Sequence, residues 1–179
     1  MQFLKQFHDE IKVFSRENFI DSRGTFVKLY SKFEFQKTLG DIEIQQVNFV
    51  FNPKIFTFRG LHYQKNPSNE AKFVRVLTGS ILDILLCIDK NSAYYGQFIE
   101  IEISEKNHKI LYVPTGYAHG YITLCENTLV SYAHTDDHDK NLETGVNIFS
   151  FPNTINEKYK EDLIISDKDK SLPELRYHE

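Results

Sequence analysis

The sequence predicts an all-β chain, either a sandwich or a jelly roll. Short segments rich in β-branched and aromatic residues recur along it, glycines stand at or near their ends, and only one stretch is a convincing helix. This pattern leaves the choice between sandwich and jelly roll open.

Thr25–Tyr30 is the first strand-like segment. Ser31–Leu39 follows as the helix, with Ser31 at the N-cap, Glu34 at the capping-box position and Gly40 closing it. Ile42–Phe51, Phe73–Leu77 and Ser80–Ile88 are again strand-like, the last an apolar run interrupted by Asp83. In Gln97–Ile103, Ile99, Ile101 and Ile103 alternate with Glu100 and Glu102, the period of a half-buried strand. Lys109–Val113, Tyr117–Thr123, Leu129–His134 and Val146–Phe151 continue the series, and a short helical turn is expected near Asn156–Glu161. Gly24, Gly79, Gly96, Gly116 and Gly145 fall where turns need positive φ.

A length of 179 residues suits a single domain, 1–179, and 15 Phe with 10 Tyr supply a sizeable core. That aromatic content and a net charge of only −4 exclude a disordered chain and argue against a nucleic-acid binder. Cys87 and Cys125 form no metal or disulfide pattern, no run reaches the length of a membrane span, and the N-terminus is charged too early for a signal peptide. A cytoplasmic protein with no membrane contact is expected.

Two stretches could carry chemistry. In Phe58-Arg59-Gly60-Leu61-His62-Tyr63-Gln64, Arg59 and His62 would point to opposite faces of a regular strand, unless Gly60 is a bulge. Arg59 then suits an anion and His62 a proton transfer; a surface arginine and a satisfied core histidine are the reading that spacing alone favours. In Tyr117-Ala118-His119-Gly120-Tyr121, the glycines around His119 suggest close backbone approach, to a ligand or simply within a turn. Each motif supplies one histidine and no His-x-His occurs, so no metal is expected. His134 and His138 have helical spacing in a stretch that reads as strand end and loop. Ser166-Asp167-Lys168-Asp169-Lys170 alone reads as a solvated tail.

Taken together, the motifs resemble one family, the nucleotide-sugar 3,5-epimerases typified by dTDP-4-dehydrorhamnose 3,5-epimerase. The matching residues are Asp21-Ser22-Arg23-Gly24, Gln46 and Asn48, Arg59 to Gln64, Lys72 before Val74-Arg75-Val76, Pro114 to Gly120, Tyr132, and Ser166, Lys168 and Asp169, across Phe19 to Pro173. The resemblance implies a cupin-type jelly roll (a double-stranded β-helix), no metal or cofactor, and a homodimer exchanging N-terminal segments, with a C-terminal extension from about 152.

It also implies a reaction. A nucleotide-diphosphate 4-keto sugar is inverted at C3 and C5 through an enolate, in the making of surface-polysaccharide sugars. His62 is implied as the base, oriented by Asp169, Lys72 as the enolate's positive charge with help from His119, and Tyr132 as the proton donor on the far face. Arg23 and Arg59 would hold the diphosphate, and Gln46, Asn48, Glu143 and Lys168 match further substrate contacts. Arg23, Arg59, Lys72 and Lys168 would concentrate positive charge in one pocket of an acidic chain.

Two positions depart from the family pattern, both at the nucleotide end. Lys28 replaces a glutamate and His138 replaces a stacking tyrosine, and the chain has no Trp. These changes lead to the expectation of a GDP-linked heptose or hexose. The alternatives are a dTDP-4-dehydrorhamnose 3,5-epimerase proper, a C3-only epimerase, a 3,4-ketoisomerase, a binding module without catalysis, and a metal-dependent cupin oxygenase.

Overall fold

The computed structural model describes residues 2–16 and 18–175. It contains thirteen strands: β1 (Gln2–Phe7), β2 (Ile11–Ser15), β3 (Asn18–Asp21), β4 (Gly24–Val27), β5 (Gln46–Asn52), β6 (Phe58–Gln64), β7 (Lys72–Thr78), β8 (Ser80–Cys87), β9 (Phe98–Ser104), β10 (Lys109–Val113), β11 (Tyr117–Thr123), β12 (Thr128–His134) and β13 (Glu143–Gly145). The α-helices are α1 (Lys32–Leu39), α2 (Thr154–Tyr159) and α3 (Asp167–Lys170).

All the strand pairings are antiparallel. A six-stranded sheet runs β1-β2-β10-β7-β12-β5, a five-stranded sheet runs β13-β6-β11-β8-β9, and β3 with β4 forms a separate hairpin. The two large sheets face each other as a jelly roll. Between them lies a core that includes Val74, Val76, Ile81, Leu85, Leu111, Val113 and Val130. Each such aliphatic side chain contributes roughly 1.5–3 kcal/mol by leaving water.

Each sheet also has a cover. Phe35 of α1 packs on Phe14, Phe73 and Ile110 on the outside of the six-stranded sheet. The chain after Pro152 covers the five-stranded sheet, where Ile155, Leu163 and Ile165 join Phe58, Leu61, Ile84 and Ile122. This segment is anchored by the Phe58 N–H, which donates to the Ile164 carbonyl at 2.9 Å.

The strand expectations hold from Ile42 to His134, with ends shifted by up to four residues. Val146–Phe151 is not a strand. β13 precedes it, and Asn147 caps a 3₁₀ turn at Ile148–Ser150 by accepting the Phe149 N–H. The C-terminal helix begins earlier than expected, because Asn153 accepts the Asn156 N–H as N-cap. Ser31 does occupy the N-cap of α1, yet its side chain makes no cap hydrogen bond, and its carbonyl takes the Glu34 and Phe35 N–H groups. β1 and β2 gave no sequence expectation at all.

Candidate active site

The Gly60 bulge is real, and it builds the site. His62 pairs with His119, and Arg59 pairs with Tyr121, so three residue steps on β6 face two on β11. The extra residue turns Arg59 and His62 to the same face, into the space between the sheets. Gly60 has φ 128°, and a Cβ there would lie 2.6 Å from the Gly120 Cα. Only glycines allow β6 and β11 to approach this closely.

A cavity of about 440 Å³ opens beside these strands. From the five-stranded sheet its wall takes Arg59, His62, His119 and Glu143. From the six-stranded sheet it takes Asn48, Lys72, Tyr132 and His134, and from the C-terminal segment Lys168 and Asp169. His62 and Tyr132 therefore enter it from opposite sheets.

Asp169 is held by the short helix α3, whose N-cap Ser166 accepts the Asp169 N–H at 3.1 Å. Its side chain is buried, with Oδ1 2.8 Å from His62 Nε2 and Oδ2 accepting the Gly60 N–H at 3.2 Å. Burial alone would raise the Asp169 carboxyl. The hydrogen bond and charge of His62, with the Gly60 N–H, outweigh it and hold the group below its ordinary value. An ionised carboxylate only accepts, so His62 Nε2 carries the proton and Nδ1 keeps the lone pair of the neutral ring. The expected tail is thus a structured part of the site.

His119 donates through Nε2 to Asp83 Oδ2 at 2.9 Å, both side chains being buried. Burial pushes Asp83 up, against the charge and hydrogen bond of His119. Lys72 Nζ lies 3.2 Å from Glu70 Oε2, and Lys168 Nζ donates to Glu143 Oε1 at 2.6 Å. The expected concentration of positive charge is therefore largely neutralised by Glu70 and Glu143. Arg59 differs: its Nε–H goes to Asn52 Oδ1 at 2.9 Å, and no carboxylate among the described residues pairs with it. Asn52 in turn donates to the Tyr121 hydroxyl at 3.2 Å. Burial, then the neighbouring Tyr121, pushes the Tyr132 phenol far above its ordinary value, so it stays protonated.

Three expected residues lie outside this wall. Gln46 is two residues before Asn48 on β5, on the same face. His138 stands at the rim, with Nε2 3.6 Å from Glu143 Oε2 and its side chain 44% exposed. Arg23 is not brought to the cavity by its own chain: it sits in the β3–β4 hairpin, 88% exposed and paired with Asp21 at 2.7 Å. The hairpin belongs to neither large sheet, which is why the chain cannot deliver Arg23. Glu70, Asp83, Asn52 and Tyr121 were not anticipated as site residues. Asp83 alone had a signal, a carboxylate inside an apolar strand, which must find a partner.

A family model described as dTDP-4-dehydrorhamnose 3,5-epimerase matches residues 8–177. The chain belongs to this family. A dTDP-4-dehydrorhamnose 3,5-epimerase of Sinorhizobium fredii is 32% identical over 166 residues, covering 93% of this chain and 85% of that relative. Among solved structures, the enzyme of that name from Bacillus anthracis, with TDP and PPi bound, has a TM-score of 0.89 at 30% identity, covering 97% of this chain and 99% of that one. The Sulfolobus tokodaii enzyme has a TM-score of 0.85 at 32% identity, covering 97% and 96%. A 3'-monoepimerase from Streptomyces bikiniensis has a TM-score of 0.83 at 20% identity, covering 97% and 87%, and shares the fold.

Membership in the family makes the chain an isomerase, a nucleotide-sugar epimerase with the cupin-type jelly roll. The GDP expectation finds no support here, since the family and these relatives carry dTDP in their names. The altered positions are also weaker evidence than they looked. Lys28 Nζ lies 3.4 Å from Glu34 on the chain's own α1, and His138 stands at the rim, so neither lines the cavity wall that one chain builds by itself.

Proposed function

We propose that the chain is a dTDP-4-dehydrorhamnose 3,5-epimerase, inverting C3 and C5 of a dTDP-linked 4-keto sugar without a metal. The observation that carries this is the facing pair, a carboxylate-held imidazole at His62 and a partly buried phenol at Tyr132, on opposite sheets of one cavity.

A proton next to a ketone is acidified because its removal gives an enolate. In this reading His62 Nδ1 takes the proton from one face of the ring, and Asp169 stabilises the imidazolium that forms. Lys72 meets the oxygen where negative charge develops, and His119, its Nε2 proton committed to Asp83, lines the wall beside it. Tyr132 returns a proton from the opposite face, which inverts the carbon; an enolate is basic enough to take it from a phenol. Arg59, with no carboxylate partner among the described residues, binds the diphosphate. Asn48, Glu143 and Lys168 line the way to the nucleotide, with Gln46 and His138 at its edge. Tyr132 also weighs against the ketoisomerase, which needs no opposing donor.

The reading includes a homodimer. β5 is the edge of the six-stranded sheet, and its outward side chains Val47, Phe49 and Phe51 are exposed, Phe49 by 71%. The β3–β4 hairpin exposes Phe19, Ile20 and Phe26. An apolar, unpaired edge invites a strand from a second copy, which would carry Arg23 to the partner's cavity. The free thiols of Cys87 and Cys125 favour a reducing, cytoplasmic setting, and no helix among the described residues is long and apolar enough to cross a membrane.

The test is a side-by-side assay with dTDP- and GDP-linked 4-keto sugars. Higher kcat/KM with dTDP is expected, and preference for GDP would return the reading to the other nucleotide.

A further inference from the structure

Glu70 sits behind the cavity wall with its side chain 7% exposed, and it uses each oxygen once. Oε2 meets Lys72 Nζ at 3.2 Å, and Oε1 meets His134 Nδ1 at 2.8 Å. Lys72 and His134 are direct cross-strand partners on β7 and β12, and both line the cavity. The three side chains form a closed unit, a carboxylate fastening an ammonium and an imidazole that face the same space.

The unit has a physical purpose. An ammonium on a four-carbon stem has many rotamers, and holding it at one point costs entropy that a fixed carboxylate recovers. Burial raises Glu70, but the hydrogen bond of His134 and the charge of Lys72 prevail and hold it below its ordinary value. Ionised, it can only accept, so His134 Nδ1 keeps its proton and cannot turn that nitrogen to the substrate. The other groups around Lys72 are Asp83 on β8, bound to His119 on β11, and Tyr132 on β12; Glu10 and Tyr117 line a neighbouring cavity that Lys72 also borders.

We propose that Glu70 and His134 are the positioning pair of this epimerase: Glu70 fixes Lys72 where the enolate oxygen forms, and His134 fixes Glu70. This rests on the reading of Lys72 given above. Glu70→Gln keeps the shape and removes the charge, and its single acceptor oxygen cannot serve both donors. It should lower kcat between about tenfold and a hundredfold, as a misplaced catalytic group does, with KM changed by less than about threefold. His134→Leu should show the same pattern, and His134→Gln, which keeps a donor for Glu70, should lose less. Independently of turnover, isotope-labelled lysine NMR should show the Lys72 side-chain signal displaced in Glu70→Gln from its wild-type position, as expected when the contact to Glu70 Oε2 is lost.

Wild-type kcat in Glu70→Gln together with an unmoved Lys72 signal would overturn the proposal. A fall in kcat that comes only with a lower melting temperature and an unmoved Lys72 signal would make Glu70 merely structural, and overturn it equally. If the wild-type chain turns over no 4-keto sugar, the functional reading fails, and the Lys72 signal still decides whether Glu70 holds the ammonium.

Discussion

His62 Nε2 lies 2.8 Å from Asp169 Oδ1, across 107 positions of sequence. The contact joins a bulged strand of the five-stranded sheet to a one-turn helix in the C-terminal segment, and it fixes which imidazole nitrogen is basic.

His62→Asn should abolish deuterium exchange from solvent at both C3 and C5. Asp169→Asn should keep the fold and lower kcat by ~10²–10⁴, because the amide no longer selects the tautomer or stabilises the imidazolium. Stopped-time NMR of the sugar protons measures both. Near wild-type turnover in Asp169→Asn would remove the carboxylate from the account.

Tyr132→Phe should separate the two halves of the reaction. Proton removal by His62 continues, so deuterium still enters the substrate, while inverted product falls by about 10²-fold with the far-face donor gone. Loss of exchange and of product in equal measure would show that Tyr132 acts before the enolate forms.

Gly60→Ala tests the bulge. A methyl would meet the Gly120 Cα at 2.6 Å and would hold φ at 128° against its own sterics. A loss of about 2 kcal/mol or more is expected from chemical denaturation, with epimerase activity lost beyond what unfolding explains. An unchanged denaturation midpoint would mean that β6 does not need this geometry.

Acid should destabilise the protein through named carboxylates. Asp169, Glu70 and Glu143 rest below their ordinary values, Glu143 mainly through its hydrogen bond from Lys168. Groups lowered on folding add stability that is complete above their unfolded values, near 4, and is lost as pH falls through the folded ones. Asp83, raised by burial, has the opposite sign and offsets part of this loss. Urea midpoints should therefore hold from neutral pH to about 5 and fall below about 4, less steeply in Asp169→Asn. Equal acid slopes in both proteins would contradict the assignment.

Much of this was legible in the sequence because it is local. The alternation in Gln97–Ile103 and the glycines at strand ends set the β character, and the bulge at Gly60 was readable as a possibility from spacing. What was not legible depends on long-range pairing. Ser166 to Lys170 looked like a tail because its charges say nothing about the strand they will meet. Glu70 lies two residues before Lys72, yet only the folding of β12 onto β7 brings His134 to complete the unit. β1 and β2 were missed because Gln and Lys interrupt their apolar residues. The GDP expectation finds no support among the relatives, and neither Lys28 nor His138, on which it was built, lines the cavity that one chain forms.

The most direct test incubates the wild-type chain with a dTDP-linked 4-keto sugar in deuterated water and follows C3 and C5 by NMR. The account predicts deuterium at both carbons with inverted product, and neither in His62→Asn. Label at C3 alone would contradict the double epimerisation, and exchange persisting in His62→Asn would contradict the assignment of the base.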